Sequence, residues 1–100
     1  MNQLVFWSES AFKDLDKIHD FISISSESKA NSLIRNILAR TKQLETFPNS
    51  GGVYEYTNDS KRVYRYLVEG NYKIIYSVSP IKVYVEAVID TRMNPESVSI

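Results

Sequence analysis

One hundred residues suffice for one small domain and leave no room for a second with its own core, so residues 1–100 read as a single domain. Twelve Lys and Arg balance twelve Asp and Glu, and the balance holds by halves, six of each sign in residues 1–47 and six in 48–100. That excludes a polybasic membrane anchor and a nonspecific nucleic-acid arm, leaving room only for a local basic patch. With 43% hydrophobic and 12% aromatic residues the chain can build a core. Cysteine is absent, which removes disulfides, thiol nucleophiles and thiolate zinc sites. His19 is the single histidine, so a two-histidine metal site cannot form, and neither metal nor cofactor is expected. The opening segment has only the four-residue apolar run Leu4–Trp7 and no cationic start. It fits neither a secretory signal nor a membrane span, so a cytoplasmic location is expected.

In chain order, Gln3 to Trp7 reads as a short strand brought beside a C-terminal sheet. Ser8 is a suitable helix N-cap, with Glu9 in the first turn. Ala11, Leu15, Ile18 and Ile22 then recur at helical spacing, with Phe12 and Phe21 widening the stripe and Asp14, Asp16, Lys17 and Asp20 facing outward. After Ser23-Ile24-Ser25-Ser26, Ser26 or Ser28 can cap a second helix, whose stripe is Ala30, Leu33, Ile34, Ile37, Leu38, Thr41 and Leu44. Phe47-Pro48 ends it, because a residue before proline is pushed out of the helical region. Beyond Asn49-Ser50-Gly51-Gly52 the period becomes two. Val53–Tyr56, Arg62–Glu69, Tyr72–Val78 and a last long segment read as strands, with Val83, Val85, Ala87 and Ile89 on one face of the last. Gly70-Asn71 suits a two-residue hairpin with glycine at its first central position. The predicted order is β-α-α-β-β-β with room for one extra short strand, an α+β domain of two layers with an antiparallel C-terminal sheet.

Tyr54, Tyr56, Tyr64, Tyr66, Tyr72, Tyr76 and Tyr84 all fall on predicted strands. Cross-strand packing accounts for them better than a base-stacking platform, which calls for a cationic surplus that is missing here. Lys61, Arg62 and Arg65 are the densest cationic group, Lys73 lies across the hairpin from them, and Arg92 follows the last strand. Alternation puts Lys61, Val63, Arg65 and Leu67 on one face and Arg62, Tyr64 and Tyr66 on the other. Two readings stand side by side: a solvated strand with Arg–carboxylate pairs to Glu69, Glu86 or Asp90, or a cationic concavity for a phosphate or an acidic peptide. Glu55 is the one acid placed to act as a base near the sheet, although a carboxylate turned to water explains it more simply. His19 reads as a solvated helix residue, and Trp7 as a lid on the helix hairpin.

Read as one pattern, the chain resembles a known family. Val5-x-Trp7-Ser8-Glu9-x-Ala11 leads into Asp14-Leu15-x-x-Ile18-x-x-Phe21-Ile22. Leu44-x-x-Phe47-Pro48-x-x-Gly51 and Arg65-Tyr66-Leu67-x-x-Gly70-Asn71-Tyr72-Lys73-Ile74-Ile75-Tyr76 follow, then an apolar strand ending near Arg92. From about residue 4 to residue 95 this resembles the RelE/ParE superfamily of toxins from bacterial type II toxin–antitoxin modules. The resemblance implies a helical hairpin on a small antiparallel sheet, a plasmid-stabilising or growth-inhibiting role, and a cognate antitoxin as partner. RelE-type members are ribosome-dependent messenger-RNA endoribonucleases with a Tyr or His near the C-terminus, whereas here Met-Asn-Pro-Glu-Ser-Val-Ser-Ile follows Arg92. The wording of the chain is closer to ParE-type members, some of which poison DNA gyrase by binding. The nuclease reading would carry over Arg65 and Arg92 as phosphate contacts, with Lys61, Lys73, Glu55 or a tyrosine moving protons. A third reading is a non-toxic module that only binds antitoxin. The antitoxin is expected on the rim of the helix hairpin, at Phe12, Phe21, Ile24 and Phe47, with its carboxylates meeting Arg62, Arg65 and Arg92. Arg65→Ala is accordingly expected to weaken toxicity, and charge reversal there to slow antitoxin binding.

Overall fold

Ser8 and Ser26 begin the two helices of the computed structural model, which describes residues 3–57 and 62–92. Each serine is extended and accepts a hydrogen bond from the amide three residues on, Ala11 and Lys29 respectively. Helix α1 covers Glu9–Ser23 and α2 covers Glu27–Lys42, which tightens into a 3-10 turn at Gln43–Glu45. The strands are β1 (Leu4–Trp7), β2 (Gly52–Tyr54), β3 (Tyr64–Glu69), β4 (Tyr72–Val78) and β5 (Lys82–Asp90). They form one sheet in the order β1-β5-β4-β3-β2. The last four strands are antiparallel neighbours, while β1 pairs parallel to β5, so the sheet is mixed. Gly70 turns the β3–β4 hairpin with φ of 58° and Asn71 keeps a negative φ, which is the expected glycine-first turn.

Both helices lie on one face of the sheet. Ala11 and Leu15 of α1 and Ile37 of α2 close on Leu67, Ile74, Tyr76, Val83, Val85 and Val88, with Leu44 beneath them and Trp7 partly buried at the side. This makes the two-layer α+β architecture, with the helix stripes on the sheet apart from Leu38 and the stripe edges Phe12 and Phe21, which are exposed, while Asp14, expected to face outward, turns to β5. Two strand assignments change. Arg62, Val63, Glu55 and Tyr56 lie outside the strands, which start or stop short of them. In β5 the pairing register shifts between Ile75 and Tyr76 of its partner, so Glu86 and Ala87 follow one another on the outer side. Val83, Val85 and Val88 consequently face the helices, and Ala87 and Ile89 join the opposite face rather than the same one. The bulge is held from α1: the Asp14 carboxylate accepts the Val88 amide at 3.0 Å, and the Ser8 hydroxyl donates to the Glu86 carbonyl at 3.2 Å.

Candidate functional site

Arg65 and Leu67 point to the helix side of β3, as alternation demands, and Arg65 spends its guanidinium locally. Its Nη1 donates to the Gly51 carbonyl at 2.9 Å, while the Gly51 amide donates to the Tyr76 hydroxyl at 2.9 Å. Ser50 of the same turn accepts from Gln43 at 2.9 Å, at the end of α2. Burial raises the Tyr76 hydroxyl above its ordinary pKa, against the lowering effects of the Gly51 amide, Arg65 and Ser50. Arg65 is therefore half-buried and bound to the turn that launches β2.

Arg92 is elsewhere. It clamps Asp90 with two guanidinium hydrogen bonds, at 2.9 and 2.6 Å, and its own amide adds a third at 2.8 Å. These bonds hold the Asp90 carboxyl down to about 2. Asp90 pairs with Tyr72 and Arg65 with Tyr76, at opposite ends of β4, and that separation alone is about 13 Å. The two guanidinium groups are held by separate partners and do not meet at one site. Arg62 lies on the opposite face from Arg65, with Nη1 3.6 Å from Glu86. Lys73 also belongs to that opposite face, its ammonium 4.9 Å from the centre of the Tyr66 ring. Glu55 is exposed beyond β2, and Lys61 lies outside the described residues. His19 bridges the helices through a 2.8 Å contact with Asn31. Among the described residues no three His, Cys, Asp or Glu side chains gather as a metal site.

The apolar rim is as exposed as its lack of core positions suggests: Phe12, Phe21, Ile24 and Phe47 are all more than half accessible. They do not make one patch. Phe12 and Phe21 are nine residues apart on α1, which places them about 180° apart around the helix, on either flank of its buried stripe. Phe12 stacks near Trp7, with ring centres 5.7 Å apart.

What sequence reading missed is the outer sheet face. Tyr54, Tyr64, Ile75 and Ala87 are buried there against one another, with Tyr66 and Ile89 alongside, although neither α1 nor α2 covers them. Beside them Phe6 and Tyr84 pair at 5.9 Å, and Lys82 lies over both rings at 5.6 and 5.3 Å. The alternation of Leu4–Trp7 and Lys82–Val85 carried the signal, once β1 and β5 are known to be neighbours.

Residues 5–95 match the family described as ParE toxin of type II toxin–antitoxin system, parDE. The chain belongs to that family. The same fold is found in a solved structure described as a chromosomal ParDE TA system from P. aeruginosa, with TM-score 0.69 and 18% identity over 88% of this chain and 95% of that one. No curated protein matches the chain by sequence. It is a ParE-type toxin of a type II toxin–antitoxin system, and no helix among its described residues is long and apolar enough to cross a membrane.

Proposed function

We propose that this ParE-type toxin arrests bacterial growth by binding a macromolecular target, with DNA gyrase the first to test, and that a cognate antitoxin neutralises it. The observation that carries the binding mechanism is the dispersal of the groups a nuclease would need. Cleavage at a ribose 2′-hydroxyl requires a base, an acid and cations converging on one phosphate. Arg65 is committed to the Gly51 carbonyl and Arg92 to Asp90, at opposite ends of the sheet, with Glu55 exposed beyond β2. The antitoxin reading draws support from the apolar side chains that the helix hairpin leaves in water, Phe21 and Ile24 foremost at 69% and 84% exposure. A cytoplasmic site of action belongs to the same reading.

Induction in a bacterial host, alone and together with any short antitoxin-like reading frame found beside the toxin gene, tests it. The expected result is arrest with a DNA-damage response, relieved by the neighbouring gene. Rapid cleavage of messenger RNA in ribosomes would replace this reading with the RelE-type nuclease. Undiminished growth with soluble protein present would leave only an antitoxin-binding module.

A further inference from the structure

The outer sheet face combines exposed apolar groups with unpaired positive charge, and the growth-arrest reading uses neither. Among the strand residues facing it, the cations are Lys73 and Lys82 and the acid is Glu86. Glu86 is already engaged by Arg62 at 3.6 Å and by Ser77 at 3.5 Å. The two ammonium groups are held over aromatic rings instead of carboxylates. Such contacts fix the position of a cation without cancelling its charge. At the Lys82 end, Leu4, Phe6 and Ile81 are 66%, 44% and 72% exposed. A groove of about 440 Å³ opens beside them, between Val63, Ser77, Pro80 and Tyr84.

We propose that this face docks an extended acidic segment of a protein partner, with one apolar side chain in the groove beside Tyr84 and carboxylates reaching Lys82 and Lys73. Lys73 stands opposite Ile89, seven positions along β5 from Lys82. The two cations are therefore about 20 Å apart, the length of six extended residues. Charge complementarity selects this occupant over two others. A second copy meeting the face across a two-fold axis would set cations against cations. An oligonucleotide would need open ring faces at the centre, where Tyr54 and Tyr64 are only 3% and 5% exposed.

Panning a random peptide library on the immobilised full chain tests it. The enriched peptides should carry Asp or Glu on both sides of a single aliphatic or aromatic residue. A synthetic copy of the best one should bind less well as salt rises. Lys82→Glu and Tyr84→Ser should each weaken that peptide by about tenfold or more, while Lys29→Glu on α2 leaves it unchanged. Lys82→Glu alters a surface charge and decides the matter even if Tyr84→Ser fails to fold, as read by circular dichroism. The proposal is overturned by peptides without acidic enrichment, or by equal binding to Lys82→Glu. Tighter binding of an oligouridylate overturns it in favour of nucleic acid. A dimer in sedimentation that Lys82→Glu dissociates overturns it in favour of a second copy.

Discussion

Gly51 has no room for a methyl group, because a Cβ there would come within 2.5 Å of the Tyr66 carbonyl oxygen and 2.6 Å of the Tyr76 hydroxyl. The turn is pressed against the sheet so that Tyr76 can accept its amide and Arg65 can donate to its carbonyl. Gly51→Ala should lower unfolding free energy by about 1–3 kcal/mol in urea melts, the usual effect of overpacking a closed site. Arg65→Ala removes a charged hydrogen bond to the same turn and should cost about 1–2 kcal/mol in that measurement. Any loss of toxicity or slowing of antitoxin association in Arg65 variants must therefore be compared at equal folded fraction, with Gly51→Ala as the stability control. Asp90 behaves differently because its partner Arg92 is in solvent. Hydrogen bonds from Arg92 lower the Asp90 carboxyl to about 2 from its ordinary 3.8, so the folded chain takes up this proton later than the unfolded chain does. The contribution of Asp90 is complete above the ordinary aspartate value and disappears as pH falls through about 2. Thermal melts of the wild type should fall more steeply than those of Asp90→Asn between about pH 4 and pH 2, with the two converging at the acid end.

At the scale of elements, α1 serves both as a core helix and as a clamp on β5. Its N-cap Ser8 holds Ala11 and reaches the Glu86 carbonyl, and one turn and a half later Asp14 takes the Val88 amide. A bulge withdraws one residue from the ladder and leaves amides that need other partners, and here α1 supplies the acceptor. Asp14→Ala should destabilise the fold by about 1–3 kcal/mol, the cost of leaving a part-buried donor without its partner. Faster hydrogen exchange localised at the Val88 amide would distinguish loss of the clamp from general loosening. Equal acceleration across β4 and β5 would show that the bulge holds without α1.

For the whole molecule, one face of the hairpin is buried on the sheet and the other is open to solvent. Ile37 is fully buried between α2 and the sheet, and truncation to alanine should cost about 2–5 kcal/mol. Phe21 is 69% exposed, so Phe21→Ser should leave stability within about 0.5 kcal/mol. If the antitoxin covers this flank of α1 and not the other, calorimetric titration will show weaker antitoxin binding for Phe21→Ser and unchanged binding for Phe12→Ser. Loss in neither variant would move the antitoxin off the hairpin.

By itself the sequence determined whatever depends on neighbours along the chain. Ser8 and Ser26 cap helices, Ala11 to Ile22 and Ala30 to Leu44 form stripes, and Gly70-Asn71 turns a hairpin, because caps, helical spacing and turn geometry are set within a few residues. The order of a strand, a helix pair and a sheet was legible for the same reason, as was the family, whose pattern is an ordered string of such local signals. The faces of β3 followed from strict alternation, but those of β5 did not. Alternation counts residues, and a bulge adds one at a place chosen by Ser8 and Asp14, more than seventy positions away in the chain. The cationic candidates failed to converge for a related reason. Arg65 lies within β3 and Arg92 just beyond β5, but only the pairing of β3, β4 and β5 decides which end of the sheet each occupies. The outer face with Phe6, Lys82 and Tyr84 is likewise a product of the parallel β1–β5 pairing, which brings together residues with no local signal in common.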